Sequence, residues 1–388
     1  MKLAERMSLI KPSATLAVNA KALELKARGI PVISLAVGEP DFPTPDNIRA
    51  AAKKAIDEGF TRYTPVGGTA ELRRAVAAYF ASRNNIELDA KNVIITNGGK
   101  QSLYAVMQAL LNPGDEVLLP SPYWVSYPEM ATMAGAVSVF VPSDADHAFK
   151  ITPEDLERRR TPKTRMLILN SPSNPTGVCY SRAELDALLE WSFEHDVFVV
   201  SDEVYDQLVY APAVAASVVP WFSRFPEKIA VINAVSKAYS MTGWRVGYTL
   251  AAPALIKAMD QMQGQVTSNV CSVSQKAALE ALTGPQDSIP VMREAFRRRR
   301  DLCLAEIAGW KGVKCPKPDG AFYLFLDMKD VPGGSDDVAL CSKLLEEAHV
   351  ATVPGTSFGA PGCLRISYST ADEVLVEALR RMREVLFA

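Results

Sequence analysis

The chain has 388 residues, of which 48% are hydrophobic and 22% charged, a composition that excludes a disordered chain and is typical of a globular protein with two domains. Its formal net charge is −2, so bulk charge gives no attraction to nucleic acid or to an anionic membrane, and small molecules are the favoured ligands. The N-terminus has no apolar signal core, and no apolar stretch of about 18 residues follows. We therefore expect a cytoplasmic protein.

The cysteines and histidines give no indication of a metal site. The three histidines are isolated in the sequence, and the six cysteines are dispersed without a C-x-x-C pair. This pattern predicts reduced structural thiols, no bound metal and no Ser/His/Asp hydrolase. The cysteines are Cys179, Cys271, Cys303, Cys315, Cys341 and Cys363.

From Asn92 onward, short apolar runs alternate with helical patterns, which is the order of a mainly parallel, helix-covered α/β sheet. Apolar residues at helical spacing predict a helix over 101–111, and a capping box formed by Ser181 and Glu184 predicts another. We assign residues 46–285 to this large domain. The predicted strands are VIIT (93–96), EVLLP (116–120), MLIL (166–169), VFVVS (197–201), IAVIN (229–233) and VGYTL (246–250).

A smaller α+β domain is predicted over 290–388, with a charged helix at 292–307, a strand at 321–328 and a terminal helix from Asp372. Residues 1–45 form an N-terminal arm, and its proline-rich end is predicted to cross between the two domains without helix. The arginine run at 297–300 lies among acidic residues. We interpret it as a solvated helix face rather than a phosphate site.

Polar residues follow three predicted strands, at the sheet edge where open α/β sheets bind ligands. The first group, Gly98, Gly99 and Lys100, leads into a helix. Close-approaching backbone N–H groups and a helix N-terminus suit a phosphate, and a tight turn is the alternative. In the second group Asp202 ends a buried strand, where a carboxylate is costly without a cation. A protonated pyridine nitrogen would serve as that cation, and a helix N-cap is the alternative.

The third group is centred on Lys237, directly after the strand IAVIN. A lysine at a buried strand end can lose its charge and attack an aldehyde. Most lone lysines are surface residues, but this one has Ser236 beside it and Arg245 shortly after it, both suited to a phosphate. Together with Asp202, these residues predict a cofactor site.

Nine segments in this order resemble the class I, fold-type-I aminotransferases, and more narrowly the bacterial subgroup Iβ aspartate aminotransferases. The resemblance extends over nearly the whole chain. It implies a fold-type-I enzyme that uses pyridoxal 5′-phosphate (PLP), with a large PLP-binding domain and a smaller α+β domain to which part of the arm belongs. The segments are KPSAT (11–15), AVGEPDFPTP (36–45), YTPVGGTAELR (63–73), TNGGKQ (96–101), SPYWVSYPEM (121–130), NSPSNPTG (170–177), SDEVY (201–205), SKAYSMTGWRVGY (236–248) and LRISY (364–368).

The resemblance also implies roles around the cofactor. Lys237 would hold PLP as a Schiff base and later move the substrate proton, and Asp202 would keep the pyridine nitrogen protonated. Ala234 departs from the family pattern, because many relatives carry a serine there that bonds the phosphate. The other implied contacts are Tyr205 and Asn174 at the ring hydroxyl, Trp124 on the ring face, the backbone of Gly98, Gly99 and Lys100 with Ser236 and Arg245 at the phosphate, and Tyr63 from a second subunit of a homodimer with shared active sites.

For the substrate, the resemblance implies that Arg365 binds the α-carboxylate with a bidentate fork, under a loop that carries Gly38. Lys100 would meet a side-chain carboxylate, which indicates aspartate and glutamate as amino donors. The expected reaction moves the amino group of L-aspartate to 2-oxoglutarate. Lys11 and Thr15 match members that also transaminate prephenate, giving arogenate.

Several alternatives remain at this stage. An aromatic, alanine or kynurenine aminotransferase, or a C–S lyase of the same fold, would keep the cofactor residues and differ in side-chain recognition. A non-catalytic PLP-binding regulator would need a DNA-reading module, for which we expect no room before KPSAT. A nicotinamide dehydrogenase would need the G-x-G-x-x-G fingerprint, which the chain lacks.

Overall fold

The computed structural model describes residues 1–388. Short apolar runs form its strands, and longer segments with apolar residues every three or four positions form its helices. The strands are β1 (Ile33–Ser34), β2 (Val93–Thr96), β3 (Glu116–Ser121), β4 (Val137–Pro142), β5 (Thr164–Asn170), β6 (Phe198–Asp202), β7 (Ile229–Ala234), β8 (Gly247–Ala251), β9 (Tyr323–Asp327), β10 (Val350–Ala351), β11 (Val353–Pro354) and β12 (Cys363–Ser367). The α-helices are α1 (Ala14–Ala27), α2 (Asp46–Asp57), α3 (Ala70–Asn84), α4 (Gly99–Leu110), α5 (Tyr127–Met133), α6 (Pro153–Glu157), α7 (Arg182–Glu194), α8 (Val219–Phe222), α9 (Pro253–Val266), α10 (Ser272–Thr283), α11 (Ser288–Ile307), α12 (Asp337–Glu347) and α13 (Asp372–Leu386).

Seven strands form a mixed sheet in the order β2-β8-β7-β6-β5-β3-β4. All run parallel except β8, which is antiparallel to both of its neighbours. Helices α2, α3, α7 and α10 cover one face, and α4, α5 and α9 cover the other. The predicted α/β fold with a mainly parallel, helix-covered sheet is confirmed, and the capping box at Ser181 is present.

The remaining elements pack around a second core. Strands β11, β12 and β9 form an antiparallel sheet, and helices α11, α12 and α13 pack against it. The N-terminal region contributes to this part of the molecule, because β1 pairs with β10 and α1 contacts both strands. The predicted domain boundaries, 1–45, 46–285 and 290–388, remain predictions. All six cysteines are free thiols, and no helix is both long enough and apolar enough to cross a membrane.

The arginine run at 297–300 is solvated only in part, so the prediction was wrong for its second half. The side chains of Arg297 and Arg298 keep 39% and 60% of their surface exposed, but Arg299 and Arg300 are buried. The two Nη atoms of Arg299 donate to the carboxylate of Asp41 at 2.7 and 2.8 Å. Arg300 donates to the Pro318 carbonyl at 2.9 Å. The acidic neighbours in sequence gave no information about these partners, which the fold brings from distant segments.

Candidate active site

A cavity of about 380 Å³ opens at the carboxyl ends of β5, β6 and β7. Its wall also includes residues of the N-terminal region and of β12, so segments far apart in the sequence meet there. Twelve of the predicted site residues line it: Thr15, Gly38, Gly99, Lys100, Trp124, Asn174, Asp202, Tyr205, Ser236, Lys237, Arg245 and Arg365.

Lys237 extends into this cavity from the turn after β7. Its Nζ donates a hydrogen bond to the Gly38 carbonyl at 2.7 Å. Burial of the amine lowers the pKa of Lys237 to about 8, and the Glu39 carboxylate opposes this shift while Arg365 and Arg245 add to it. A pKa so close to neutrality makes the uncharged, nucleophilic amine accessible at physiological pH.

Asp202, at the end of β6, is buried and forms no salt bridge, although the Lys237 amine lies near enough to lower its pKa slightly. Tyr127 donates its hydroxyl to Oδ2 at 2.7 Å, and the Val204 N–H donates to Oδ1 at 3.3 Å. Burial raises the pKa of Asp202 to about 6 despite these hydrogen bonds. The helix N-cap alternative is wrong, because a turn and not a helix follows β6. A cationic group in the cavity would supply the missing partner.

The loop between β2 and α4 approaches the guanidinium of Arg245 closely. Gly98 has φ +86°, and a Cβ built on it would lie 2.4 Å from Nη2 of Arg245, so only glycine fits there. Arg245 donates to the carbonyls of Thr242 at 2.8 Å and Asn97 at 3.3 Å, and forms no salt bridge. The glycines, the N-terminus of α4 and this free cation form a cradle that fits a phosphate group.

Arg365 is a buried cation that faces the cavity from β12. It donates to Oδ1 of Asn174 at 2.9 Å and to the Ala36 carbonyl, and its Nε has no partner. Its guanidinium lies 4.5 Å from the ring centroid of Tyr323 and 5.0 Å from that of Phe358. Because no carboxylate neutralises it, the guanidinium is ready to bind an anionic group of a ligand.

A second cation, Lys100, lies on the cavity wall in the first turn of α4. Its Nζ is 5.0 Å from the ring centroid of Trp124. Partial burial lowers the pKa of Lys100, and the nearby charge of Arg245 lowers it further. No acidic side chain pairs with Lys100, so this cation too is free for a ligand.

Three predicted site residues do not line the cavity. Gly98 lies behind it against Arg245, as described above. Tyr63 is 90% exposed. The Lys11 side chain is also exposed, and only its backbone N–H has a partner, the carboxylate of Glu129 at 2.8 Å. Roles for Tyr63 and Lys11 in this site would therefore need a second chain or a movement of the N-terminal segment.

Sequence reasoning missed two tyrosines that support the site. Tyr127 holds Asp202, and it lies in the segment SPYWVSYPEM that was noted without a role for it. The hydroxyls of Tyr323 and Tyr205 share a hydrogen bond of 2.8 Å. Tyr323 also packs against Gly38 and against the guanidinium of Arg365. Its only signal was its place in a strand of apolar and aromatic residues, which is typical of a core.

This geometry, with a lysine of lowered pKa, a buried carboxylate and a phosphate cradle around one cavity, defines the class of protein. A family model described as "Aminotransferase class I and II" matches residues 30–382, and the chain belongs to this family. It is a PLP-dependent aminotransferase.

The chain is similar over its whole length to particular members. It is 49% identical to the aspartate/prephenate aminotransferase of Cereibacter sphaeroides, covering 98% of each chain. It is 45% identical to the aspartate aminotransferase of Bacillus subtilis, covering 99% of this chain and 98% of the relative. The solved structure of the Thermus thermophilus aspartate aminotransferase with maleate matches with a TM-score of 0.95 at 43% identity, covering 100% of both chains.

Proposed function

We propose that this enzyme moves the amino group of L-aspartate to 2-oxoglutarate, giving oxaloacetate and L-glutamate. The observation that carries the proposal is the pair of cations on one cavity, Arg365 and Lys100, neither of which has a carboxylate partner. Two such cations suit a substrate with two carboxylates. Relatives named aspartate aminotransferases support this substrate class.

The cavity residues fit PLP. Lys237 would hold its aldehyde carbon, and the buried Asp202, which forms no salt bridge, would face its ring nitrogen. The backbone of Gly98, Gly99 and Lys100, together with Ser236 and Arg245, would hold the phosphate, which leaves the Lys100 side chain for the substrate. Tyr205 and Asn174 would bond the ring hydroxyl beside Trp124. Bound PLP supplies an electron sink that weakens the bonds to the substrate α-carbon. Ala234 lines the cavity without a hydroxyl, so Ser236 and the glycine loop carry more of the phosphate binding.

Proton transfer and substrate orientation depend on the protein side chains. Lys237 Nζ, whose pKa is lowered to about 8, would remove the α-proton of the substrate and pass it to the PLP carbon that the lysine had held. Arg365 binds the α-carboxylate with its planar fork and so orients the α-carbon toward Nζ. The carbonyl of Gly38 accepts a hydrogen bond from Nζ and holds the amine on the cavity wall.

Prephenate is a second candidate acceptor, and its product would be arogenate. It carries two carboxylates like aspartate, Thr15 lines the cavity, and one relative is named an aspartate/prephenate aminotransferase. The Lys11 side chain lies outside the cavity of its own chain, so its part in prephenate binding requires a movement of the N-terminal segment.

We further propose a cytoplasmic homodimer in which each active site takes Tyr63 from the other subunit. Tyr63 is 90% exposed and does not line the cavity of its own chain. Mixing Tyr63→Phe and Lys237→Ala chains tests this arrangement, because a mixed dimer then has one site with both native residues. We expect activity to rise above that of either variant alone, and a simple average of the two would refute shared sites.

Substrate specificity is tested through Lys100. Lys100→Gln removes the cation that would meet the second carboxylate, so we expect kcat/KM for aspartate to fall by about 10-fold or more while that for alanine changes little. Lys91→Gln, an exposed lysine outside the cavity, is the control. Each amino acid is added to the PLP-loaded enzyme, and its conversion is followed in the near-visible spectrum. An equal loss with alanine or phenylalanine would favour one of the broader specificities.

A further inference from the structure

The segment 38–44 forms part of the cavity wall and is held to the large sheet on one side. The hydroxyl of Thr242 donates to the carboxylate of Glu39. The hydroxyl of Thr44 donates to the Ser240 carbonyl at 2.6 Å. Both partners belong to the turn region that also carries Lys237. These two hydrogen bonds attach the segment to the turn that carries Lys237.

The other side of the segment is held by helix α11. Arg299 binds Asp41 with a two-bond fork at 2.7 and 2.8 Å, and its side chain is only 8% exposed. The ring of Phe42 packs edge-on against Phe296, with centroids 5.8 Å apart. Arg299 also lies over the Phe42 ring at 5.5 Å. A bidentate pair with a buried guanidinium fixes position as well as charge.

Between these attachments lies Gly38, whose carbonyl accepts the hydrogen bond from Lys237 Nζ. A Cβ on Gly38 would come within 2.2 Å of the Tyr323 hydroxyl, so the backbone rests directly on that ring. The next residue, Glu39, is the charge that most strongly raises the pKa of Lys237 against the effect of burial. The segment thus carries both groups that favour the ammonium form from this side.

We propose that Arg299, acting through Asp41, is a positioning residue for Lys237. The fork holds the segment 38–41 so that the Gly38 carbonyl and the Glu39 carboxylate stay beside the lysine amine. The inference rests on the proposed function, since it concerns the lysine assigned to PLP.

Loss of the fork leaves Asp41 without its cation and frees the segment on the side of α11. The bonds from Thr242 and Thr44 remain, but without the fork we expect the Gly38 carbonyl and the Glu39 carboxylate to be held less closely to Nζ, so that Lys237 loses part of both interactions. Asp202 remains as a negative neighbour, and Arg245 and Arg365 remain as positive ones. The remaining balance favours the neutral amine, so Lys237 becomes reactive at lower pH.

The test measures Lys237 directly, in the full-length chain freed of cofactor. The protein is treated with trinitrobenzenesulfonate across a pH series, and labelling of the Lys237 peptide is quantified by mass spectrometry. For Arg299→Gln and for Asp41→Asn we expect the midpoint to move about one pH unit lower, the effect of losing one charge-assisted hydrogen bond. The double variant should add nothing further, because both changes break the same contact.

Arg298→Gln is the matched control. Arg298 lies next to Arg299 on α11 and both side chains pair with Asp372, but Arg298 forms no hydrogen bond with Asp41. We expect its midpoint to equal that of the parent. If Arg299→Gln does not fold, Asp41→Asn tests the proposal alone, because it replaces only one carboxylate oxygen by an amide nitrogen. A midpoint in these variants equal to that of Arg298→Gln would overturn the positioning role.

Added PLP separates this inference from the proposed function. PLP should protect Lys237 from labelling in the parent enzyme. Absence of protection would refute the cofactor role of Lys237, whatever Arg299 does. Protection together with an unmoved midpoint in the Arg299 and Asp41 variants would refute only the positioning role.

Discussion

Replacement of Arg365 by lysine tests the assignment of the α-carboxylate. Lysine keeps the positive charge but provides one donor direction where the guanidinium fork provides two. A charge-assisted hydrogen bond contributes about 1.5–3 kcal/mol, and about 1.4 kcal/mol corresponds to a factor of ten. Losing one of the two bonds therefore lowers kcat/KM by about 10- to 150-fold. Asn174 and the Ala36 carbonyl also lose a donor, so we expect the upper part of this range.

The assay compares aspartate, glutamate and alanine, because each carries the same α-carboxylate. All three should lose kcat/KM by a similar factor, in contrast to the selective loss expected for Lys100→Gln. Arg383→Lys is the control, since Arg383 is 52% exposed and pairs with Glu306 on the surface. A loss confined to aspartate and glutamate would refute the reasoning, because Arg365 would then bind the side-chain carboxylate.

Three further predictions concern the cofactor and the buried acids. Lys237→Ala should fold with a similar melting temperature and show no turnover; normal transamination would remove Lys237 from the mechanism. Gly98→Ala should weaken PLP binding at least 10-fold, since its Cβ would collide with Arg245. Gly114→Ala is the control, because Gly114 is also at positive φ but has no atom within 4 Å of the added Cβ. Equal PLP affinity in the two variants would contradict the phosphate cradle. Burial raises the pKa of Glu203 from 4.5 to about 7, so the folded state binds the extra proton and stability should fall as pH rises from about 5 to 7. Glu203→Gln should flatten that fall in thermal melts, and an unchanged slope would contradict it.

Most of the large sheet could be predicted from local sequence. The runs at 93–96 and 229–233 lie within the observed β2 and β7. Both strands are buried on both faces of the sheet, and such strands are short, continuous apolar runs bounded by polar residues. The direction of β8 could not be predicted, since its apolar run reads the same in either orientation. The pairing of β1 with β10 could not be predicted either, because the two strands are separated by some three hundred residues of chain.

Part of the active site could likewise be predicted from the sequence, and part could not. Lys237, Asp202 and the glycine loop could be found from residue type and position at strand ends. Arg365 came only through the family resemblance, although a cation inside an apolar strand is itself a signal. The partner of Arg299 could not be predicted, because Asp41 is brought to it by the tertiary fold.

The reversed direction of β8 has a consequence for engineering. Because β8 begins at the edge where its neighbours end, Arg245 just before it meets the loop after β2, and the reactive groups gather at one edge of the sheet. The opposite edge includes the connection at residues 112–114, which is exposed. Affinity tags, reporter peptides or immobilisation points belong there, where an insertion leaves the catalytic edge and the substrate entrance untouched.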